Sequence, residues 1–162
     1  MKRIVTNLVC ATLAPLCAGA ATLYVSSDGG NVAPFDTPAS AAHIIQDAAD
    51  VAEEGDEILL APGLYTNGGS VVTGTLTNRI TVPKGVTLRS REGAANTVIR
   101  GVRKSTTNSV RGVYLKRGAR LIGVTVDQGG TRGELQGAYV SQSGGGIFCE
   151  ELASVSDCVI MN

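Results

Sequence analysis

The sequence predicts an all-β solenoid, in which the chain winds around one axis and stacks each turn on the last. Three segments carry this prediction, because they align with one another at offsets of 33 and 34 residues. Each is a short strand of alternating apolar and polar residues, a polar corner of two residues, and a second alternating strand. A fixed period of this length is typical of repeat architectures whose units stack around a shared core. The aligned segments begin at Ile80, Val113 and Ile147.

The first twenty residues have the order of features of an export signal. A positive start and a mostly apolar run lead to small residues at 18–20, as at a cleavage site. We therefore expect a secreted or cell-surface protein whose mature chain begins at Ala21. The apolar run is too short to span a bilayer, and no later run is longer, so we expect no transmembrane segment.

Residues 21–78 are expected to form a strand, a helix and the first turn of the solenoid. The alternation at 22–26 is typical of a strand. Thr37 is expected to cap a helix over 38–55, with proline in its first position and one apolar stripe. A buried strand at 57–60 follows. Such a helix would cover the first turn, which otherwise exposes unpaired backbone.

The stretch that leads into the repeats carries a recognisable motif. Residues 45–65 contain Ile-Gln with spaced alanines, then Gly-Asp, an apolar strand, and Gly-x-Tyr. This pattern resembles the opening of right-handed parallel β-helix proteins of the pectate-lyase-like group. The resemblance covers about residues 22 to 162 and implies a right-handed parallel β-helix with an N-terminal capping α-helix. It implies no particular activity, because lyases, hydrolases and surface adhesins share this opening.

Residues 79–162 are expected to form the turns of the solenoid, with a Gly/Ser-rich loop at 129–146. The period-two alternation predicts three inward layers and an outward face. The inward residues are Ile80, Val82, Val86, Leu88, Val113, Leu115, Ala119, Leu121, Val124, Val126, Ile147, Cys149, Ala153, Val155, Cys158 and Ile160. The outward residues are Thr81, Thr87, Arg89, Tyr114, Arg120, Ile122, Thr125, Phe148, Ser154, Ser156 and Val159.

The end of the chain presents an open apolar turn with no polar cap. Bare strand edges and apolar side chains favour association. We therefore expect further chain of a longer protein, or a partner, to cover this turn. Cys149 and Cys158 remain after signal cleavage. An oxidising compartment could join them as a disulfide, but their inward positions also fit two separate buried thiols.

Charge is segregated along the chain, although the formal net charge is zero. Eleven bases and one acid lie within residues 79–120, and acids dominate on either side. The corner pair Lys116 and Arg117 is expected beside Glu150 and Glu151, because stacked strands lie about 4.8 Å apart. Part of the segregation is therefore an ion-pair ladder within the solenoid.

The basic band is the one feature that predicts a binding function. Such surfaces bind polyanions through point charges and guanidinium forks, and an exported protein meets acidic polysaccharides and cell-surface glycans. Nucleic acid is not expected, since no aromatic residues alternate with the lysines and arginines of the band, and single-stranded nucleic acid binds by stacking its bases on aromatic rings. A solvated, partly neutralised face is the competing interpretation. The candidate polyanion-binding residues are Lys84, Arg89, Lys116, Arg117 and Arg120.

No catalytic constellation stands out in the sequence. A calcium site needs several outward carboxylates on adjacent turns, and the predicted outward positions hold none. The single histidine, His43, lacks the partners that metal or nucleophile chemistry requires. We therefore expect no catalytic residue, metal or cofactor here, and a role in glycan binding, adhesion or display. The alternative is the N-terminal part of a polysaccharide lyase or glycoside hydrolase whose active site lies beyond residue 162.

Overall fold

The chain folds into a parallel β-solenoid of about four turns. The computed structural model describes residues 19–104, 108–132 and 139–161. The predicted export signal lies outside the described residues, apart from its last two positions. The elements, in chain order, are β1 (Thr22–Val25), α1 (Ile45–Val51), β2 (Glu57–Leu60), β3 (Gly63–Tyr65), β4 (Ser70–Val71), β5 (Thr77–Val82), β6 (Thr87–Ser90), β7 (Thr97–Arg100), β8 (Val110–Leu115), β9 (Arg120–Ile122), β10 (Thr125–Asp127), α2 (Tyr139–Gln142), β11 (Ile147–Cys149), β12 (Ser154–Ser156) and β13 (Val159–Met161).

The strands form three sheets that run along the solenoid. Sheet 1 has the order β1-β2-β6-β9-β12, sheet 2 the order β3-β7-β10-β13, and sheet 3 the order β4-β5-β8-β11. The strand pairs are parallel except for β4 with β5. The predicted register is confirmed, since Ile80 pairs with Val113 and Val113 pairs with Ile147.

The core lies between the three sheets and follows the predicted inward columns. The inward residues of the first two predicted layers have no exposed surface; they are Ile80, Val82, Val86, Leu88, Val113, Leu115, Ala119, Leu121, Val124 and Val126. The third layer differs from the prediction. Cys149, Val155 and Ile160 are exposed, because no described turn stacks on them. Cys158 packs against the core from one side, and both cysteines carry free thiols.

Both predicted bounds of the helix are wrong, since it also ends at Val51 instead of running to residue 55. The helix α1 begins only at Ile45, and residues 37–40 form a turn in which the Ser40 amide donates to Thr37 Oγ1 at 3.2 Å. The backbone of Ala42 is extended and bonds to β1 at Tyr24 and Ser26, each at 2.9 Å. This pairing with sheet 1 competes with the local helix signal and prevails over it.

Helix α1 packs on the first turn. Its buried residues Ile45, Ala48 and Ala49 belong to the core cluster. Its Gln46 Oε1 accepts a 2.9 Å hydrogen bond from the backbone N–H of Thr81 on β5. The helix therefore satisfies a polar group of β5 as well as covering apolar side chains.

Three residues predicted to face outward are buried instead. Thr81 is covered by the β4 strand, where its hydroxyl lies 2.6 Å from Ser70 Oγ. Tyr114 is buried beneath the Arg111 side chain, and Thr125 donates to the Ala94 carbonyl at 2.7 Å. Segments outside the repeat cover parts of the outer surface, and the alternation within a strand carries no information about them.

The predicted Gly/Ser-rich loop contains one element of its own, the short helix α2. Residues 133–138 of that loop lie outside the described part of the chain. Within the described residues, none of the helices has the length and apolar character that crossing a membrane requires.

Candidate functional site

The corner between sheet 3 and sheet 1 has the same backbone form in successive turns. The third residue of each corner has a positive φ, with values of 67° at Gly85, 69° at Gly118 and 63° at Leu152. The left-handed backbone conformation, in which φ is positive, favours glycine, because a Cβ atom crowds the neighbouring backbone in it. Two of the three corners therefore present bare backbone to the outside.

The corners are also hydrogen-bonded to one another and to Gly55, which precedes β2 at the level before Gly85. The amide of Gly55 donates to the Gly85 carbonyl at 3.2 Å, and the amide of Gly85 donates to the Arg117 carbonyl at 3.1 Å. The amide of Gly118 donates to the Glu151 carbonyl at 3.1 Å. The corners thus stack into a column with one residue type, glycine, repeated along three levels.

This column is the floor of an open hollow of about 650 Å³ on the outer surface. We call it the corner groove. Its floor is Gly55, Gly85 and Gly118, and its walls carry Glu54, Lys84, Thr87, Arg117, Arg120 and Leu152. A methyl group at Gly85 would lie 2.6 Å from the Glu54 side chain, so glycine keeps the groove open there. The groove runs along the solenoid axis, across several turns.

Two of the three cations in the corner groove have carboxylate neighbours. Lys84 Nζ lies 2.8 Å from Glu54, and Arg117 Nε lies 3.5 Å from Glu151. All four side chains are more than half exposed. Exposed pairs of this kind contribute at most about 1 kcal/mol, so an incoming anion can replace either carboxylate at little cost.

Arg120 supplies the unbalanced positive charge. It is exposed on β9, between Thr87 and Ser154 of the adjacent strands. Among the residues that the structure describes, no carboxylate lies within ion-pair distance of Arg120. Its guanidinium offers five N–H donors to a ligand.

The five predicted polyanion-binding residues do not form one site. The structure brings Lys84, Arg117 and Arg120 together in the corner groove and separates the other two. Arg89 shares the outer face of sheet 1 but forms a fork with Glu57, at 2.7 and 2.9 Å. These hydrogen bonds raise the pKa of Arg89 above its ordinary value.

Lys116 lies on the far side of the corner. It lines a separate shallow hollow with Gln46 and Asp50 of α1. The predicted ladder is present in part, because Arg117 bonds to both acidic residues of the next corner: its amide donates to Glu150 Oε2 at 2.9 Å. The other oxygen of Glu150 accepts from the Tyr114 hydroxyl at 2.7 Å instead of from Lys116.

Sequence reasoning missed the most buried charge of the described chain. Arg111 is 1% exposed and donates to Asn78 Oδ1 at 2.7 Å. It also donates to the carbonyls of Gly144 at 2.9 Å, Ser143 at 2.7 Å and Val140. Burial lowers the pKa of this guanidinium below its ordinary value.

Arg111 also contacts two stacked aromatic rings. Its guanidinium carbon lies 5.5 Å from the ring centre of Tyr114 and 5.0 Å from that of Phe148. The two rings stack with their centres 5.0 Å apart. This cluster holds the segment at 139–146 over the outer face of sheet 3, which is therefore closed at this level. The alignment of Arg111 with Asn78, a polar pair at matching repeat positions, is the signal that could have revealed it.

The described residues hold no group of three or more His, Cys, Asp or Glu side chains arranged to bind a metal ion. His43 is exposed, and its Nε2 lies 2.6 Å from the carbonyl of Gly29. Asp127 pairs with Arg100 at 2.7 Å. No protein-family model, no curated protein and no solved structure matches this chain.

Proposed function

We propose that this chain is an exported, non-catalytic β-solenoid that binds an acidic polysaccharide in the corner groove. The observation that carries the proposal is the placement of Lys84, Arg117 and Arg120 together on a floor of glycine backbone. Lys84 and Arg117 hold matching positions in adjacent turns, which lie about 4.8 Å apart, and Arg120 lies in the same turn as Arg117, so the groove presents three cations within a short span. An extended polymer with a charge on every unit suits such an array.

A glycan is favoured over nucleic acid for two reasons. The predicted N-terminal signal would direct the protein out of the cell, where acidic polysaccharides are the abundant polyanions. The lining of the groove includes no aromatic ring on which a base could stack. The same reasoning favours the secreted fraction or the cell surface as the location of the protein.

The pectate-lyase-like motif supports a right-handed β-helix in which α1 serves as the N-terminal cap. The Gln46 side chain accepts a hydrogen bond from β5, as a preceding strand would do. The apolar residues of α1 also cover the first turn of the core. A cap of this kind removes a strand edge on which other chains could add.

The test compares two pairs of charge substitutions. We expect Arg117→Gln with Arg120→Gln to reduce the affinity for polygalacturonate at least tenfold in calorimetry. The matched control, Arg103→Gln with Lys104→Gln, removes the same charge from another exposed site and should change the affinity less than threefold. An equal loss of affinity in both double variants would show that only net charge determines binding, and would reject the corner groove as the binding site.

The second candidate function is the N-terminal part of a polysaccharide lyase or glycoside hydrolase. The last described turn favours it, since Val159, Ile160 and Met161 are about half exposed and could accept another turn. Intact-mass spectrometry of the natively secreted protein separates the two proposals. A mass well above that of residues 21–162, with release of unsaturated or reducing ends from uronate polymers, would favour the enzyme.

A further inference from the structure

A second hollow lies at the carboxyl ends of the first strands of sheet 1, whereas the corner groove lies at the amino ends of the sheet 1 strands. It has a volume of about 290 Å³ and is lined by residues of β1 and β2, of the turns that follow them, of the segment between β1 and α1, and by the residue after β6. We call it the N-terminal hollow; the residues that matter for its chemistry are Tyr24, Ser26, Ser27, Asp28, Leu59 and Arg91. Small-molecule sites begin at about 300 Å³, so the hollow fits a single small unit.

The floor of the N-terminal hollow is apolar. Tyr24 and Leu59 are paired residues of β1 and β2, and both point outward from the sheet. Both are partly exposed, and they hold adjacent register positions on the same face of sheet 1. An aromatic ring that is open to solvent offers a flat apolar surface with a polar tip.

The rim of the hollow carries charges of both signs. The Asp28 carboxylate is exposed and accepts one hydrogen bond from Ser27 Oγ at 3.2 Å. Arg91 is exposed and uses one terminal nitrogen for Glu92, at 3.0 Å. A carboxylate has about four acceptor positions and a guanidinium has five donors, so both groups can still bind a ligand.

This mixture selects the class of ligand. Asp28 only accepts hydrogen bonds and Arg91 only donates them, and their opposite charges offset each other, so a ligand with a single charge gains little net attraction. A neutral molecule with several hydroxyl groups can donate to the carboxylate and accept from the guanidinium. A sugar also has an apolar C–H face, which fits the floor of Tyr24 and Leu59.

The walls of the hollow are fixed by backbone hydrogen bonds. The amide of Ser26 donates to the Ala42 carbonyl, and the amide of Ala61 donates to the Val25 carbonyl, each at 2.9 Å. The amide of Arg91 donates to the Leu60 carbonyl at 2.9 Å. A rigid site loses little conformational entropy on binding.

From these observations, we propose that the N-terminal hollow is a binding site for one neutral, hydroxyl-rich sugar residue. The ring of Tyr24 contacts its apolar face, and Asp28 and Arg91 bind its hydroxyl groups. This site does not depend on the corner groove. It is separate in position and opposite in preference, since it favours neutral over acidic sugars.

The experiment is a titration of the ¹⁵N-labelled protein with the methyl glycosides of galactose, glucose, mannose and galacturonic acid, followed by amide chemical shifts. We expect at least one neutral glycoside to give saturable shifts centred on the amides of residues 24–28, 59–61 and 91. Galacturonide should bind there at least threefold more weakly. The absence of saturable shifts with all three neutral sugars, or a preference for galacturonide, would overturn the proposal.

Variants locate the site. Tyr24→Ala should weaken binding of the neutral glycoside about tenfold, and the nearly isosteric Asp28→Asn should weaken it at least threefold. Tyr139→Ala, which removes a ring that is 77% exposed on α2, should leave the affinity unchanged. The Arg117→Gln, Arg120→Gln protein should also bind the neutral glycoside normally. Loss in that protein, with normal binding by Asp28→Asn, would place the sugar in the corner groove and reject the hollow.

Discussion

The guanidinium of Arg111 donates a 2.7 Å hydrogen bond to Oδ1 of Asn78, its aligned neighbour in the preceding turn. Three further hydrogen bonds from this buried side chain reach carbonyl groups of the segment at 139–146. One cation thus ties two turns of sheet 3 to the segment that covers them, and no described carboxylate lies within ion-pair distance of it.

Replacing this arginine should destabilise the solenoid. Arg111→Met keeps much of the apolar stem but leaves the Asn78 amide oxygen and several carbonyls without their donor. We expect the free energy of unfolding in urea to fall by roughly 3 kcal/mol. Arg103→Met, at an exposed position, should change it by less than about 0.5 kcal/mol. Similar values for the two variants would contradict a structural role for Arg111.

The Tyr114 hydroxyl should make stability sensitive to alkaline pH. Burial, reinforced by the hydrogen bond to Glu150, raises the pKa of Tyr114 from 10.0 to about 12. The folded chain therefore keeps a proton that the unfolded chain releases. This contribution is fully present below pH 10 and is lost as the pH rises towards about 12.

Tyr114→Phe tests this linkage, because the ring that stacks on Phe148 remains while the titrating group is removed. The urea midpoint of the variant should fall less steeply above pH 10 than that of the wild type. Some alkaline loss persists, since burial also raises the pKa of Tyr65 to about 12. Tyr139→Phe should behave as the wild type does, and an unchanged slope in Tyr114→Phe would refute the assignment.

The corner column predicts two substitutions with opposite effects. Gly118 has a φ of 69°, and a methyl group added to it would lie 3.9 Å from the nearest backbone atom, which is an ordinary contact. Gly118→Ala should therefore cost about 1 kcal/mol through backbone strain alone. Leu152 has a φ of 63° and is 72% exposed, so Leu152→Gly should stabilise the chain by up to about 1 kcal/mol.

Both changes are measured as free energies of unfolding in urea. Gly85→Ala extends the series, since its methyl group would also press on the Glu54 side chain. We expect it to be at least as costly as Gly118→Ala. A destabilised Leu152→Gly variant would mean that the leucine side chain contributes more than its backbone strain removes.

The fork between Arg89 and Glu57 predicts a gain of binding. Glu57→Gln removes the negative charge that holds Arg89, which lies on β6 two residues from Thr87 of the corner groove. The affinity for polygalacturonate should rise by roughly threefold. Arg89→Gln in the wild-type background should change it by less than about twofold. A larger loss in Arg89→Gln than in Arg120→Gln would show that the forked arginine, and not the groove, carries the binding.

The stacking of the solenoid could be predicted from the sequence because it depends on short-range regularities. Inward residues such as Leu88 and Leu121 recur at a fixed offset, and a glycine marks each of the first two aligned corners, at Gly85 and Gly118. These features set the register of neighbouring turns, and the observed pairs are the predicted ones.

The remaining features depend on contacts between segments that are far apart in sequence. Thr37 and the proline after it are good helix-start signals, but the chain pairs Ala42 with β1 instead. The burial of Thr81 and Tyr114 results from covering segments that the repeat does not encode. The separation of Arg89 from the cations of the corner groove likewise depends on a distant residue, Glu57, whose carboxylate on the adjacent strand β2 accepts hydrogen bonds from Arg89.

The most direct test of the central claim is calorimetry of the wild-type protein with polygalacturonate and with an uncharged galactan of similar length, at low and at high salt. We predict saturable binding of the acidic chain at low salt, a loss of affinity of at least tenfold at high salt because surface charges are screened, and markedly weaker binding of the galactan. Equal affinity for both chains, or no binding of polygalacturonate at low salt, would contradict the proposal that the corner groove recognises an acidic polysaccharide.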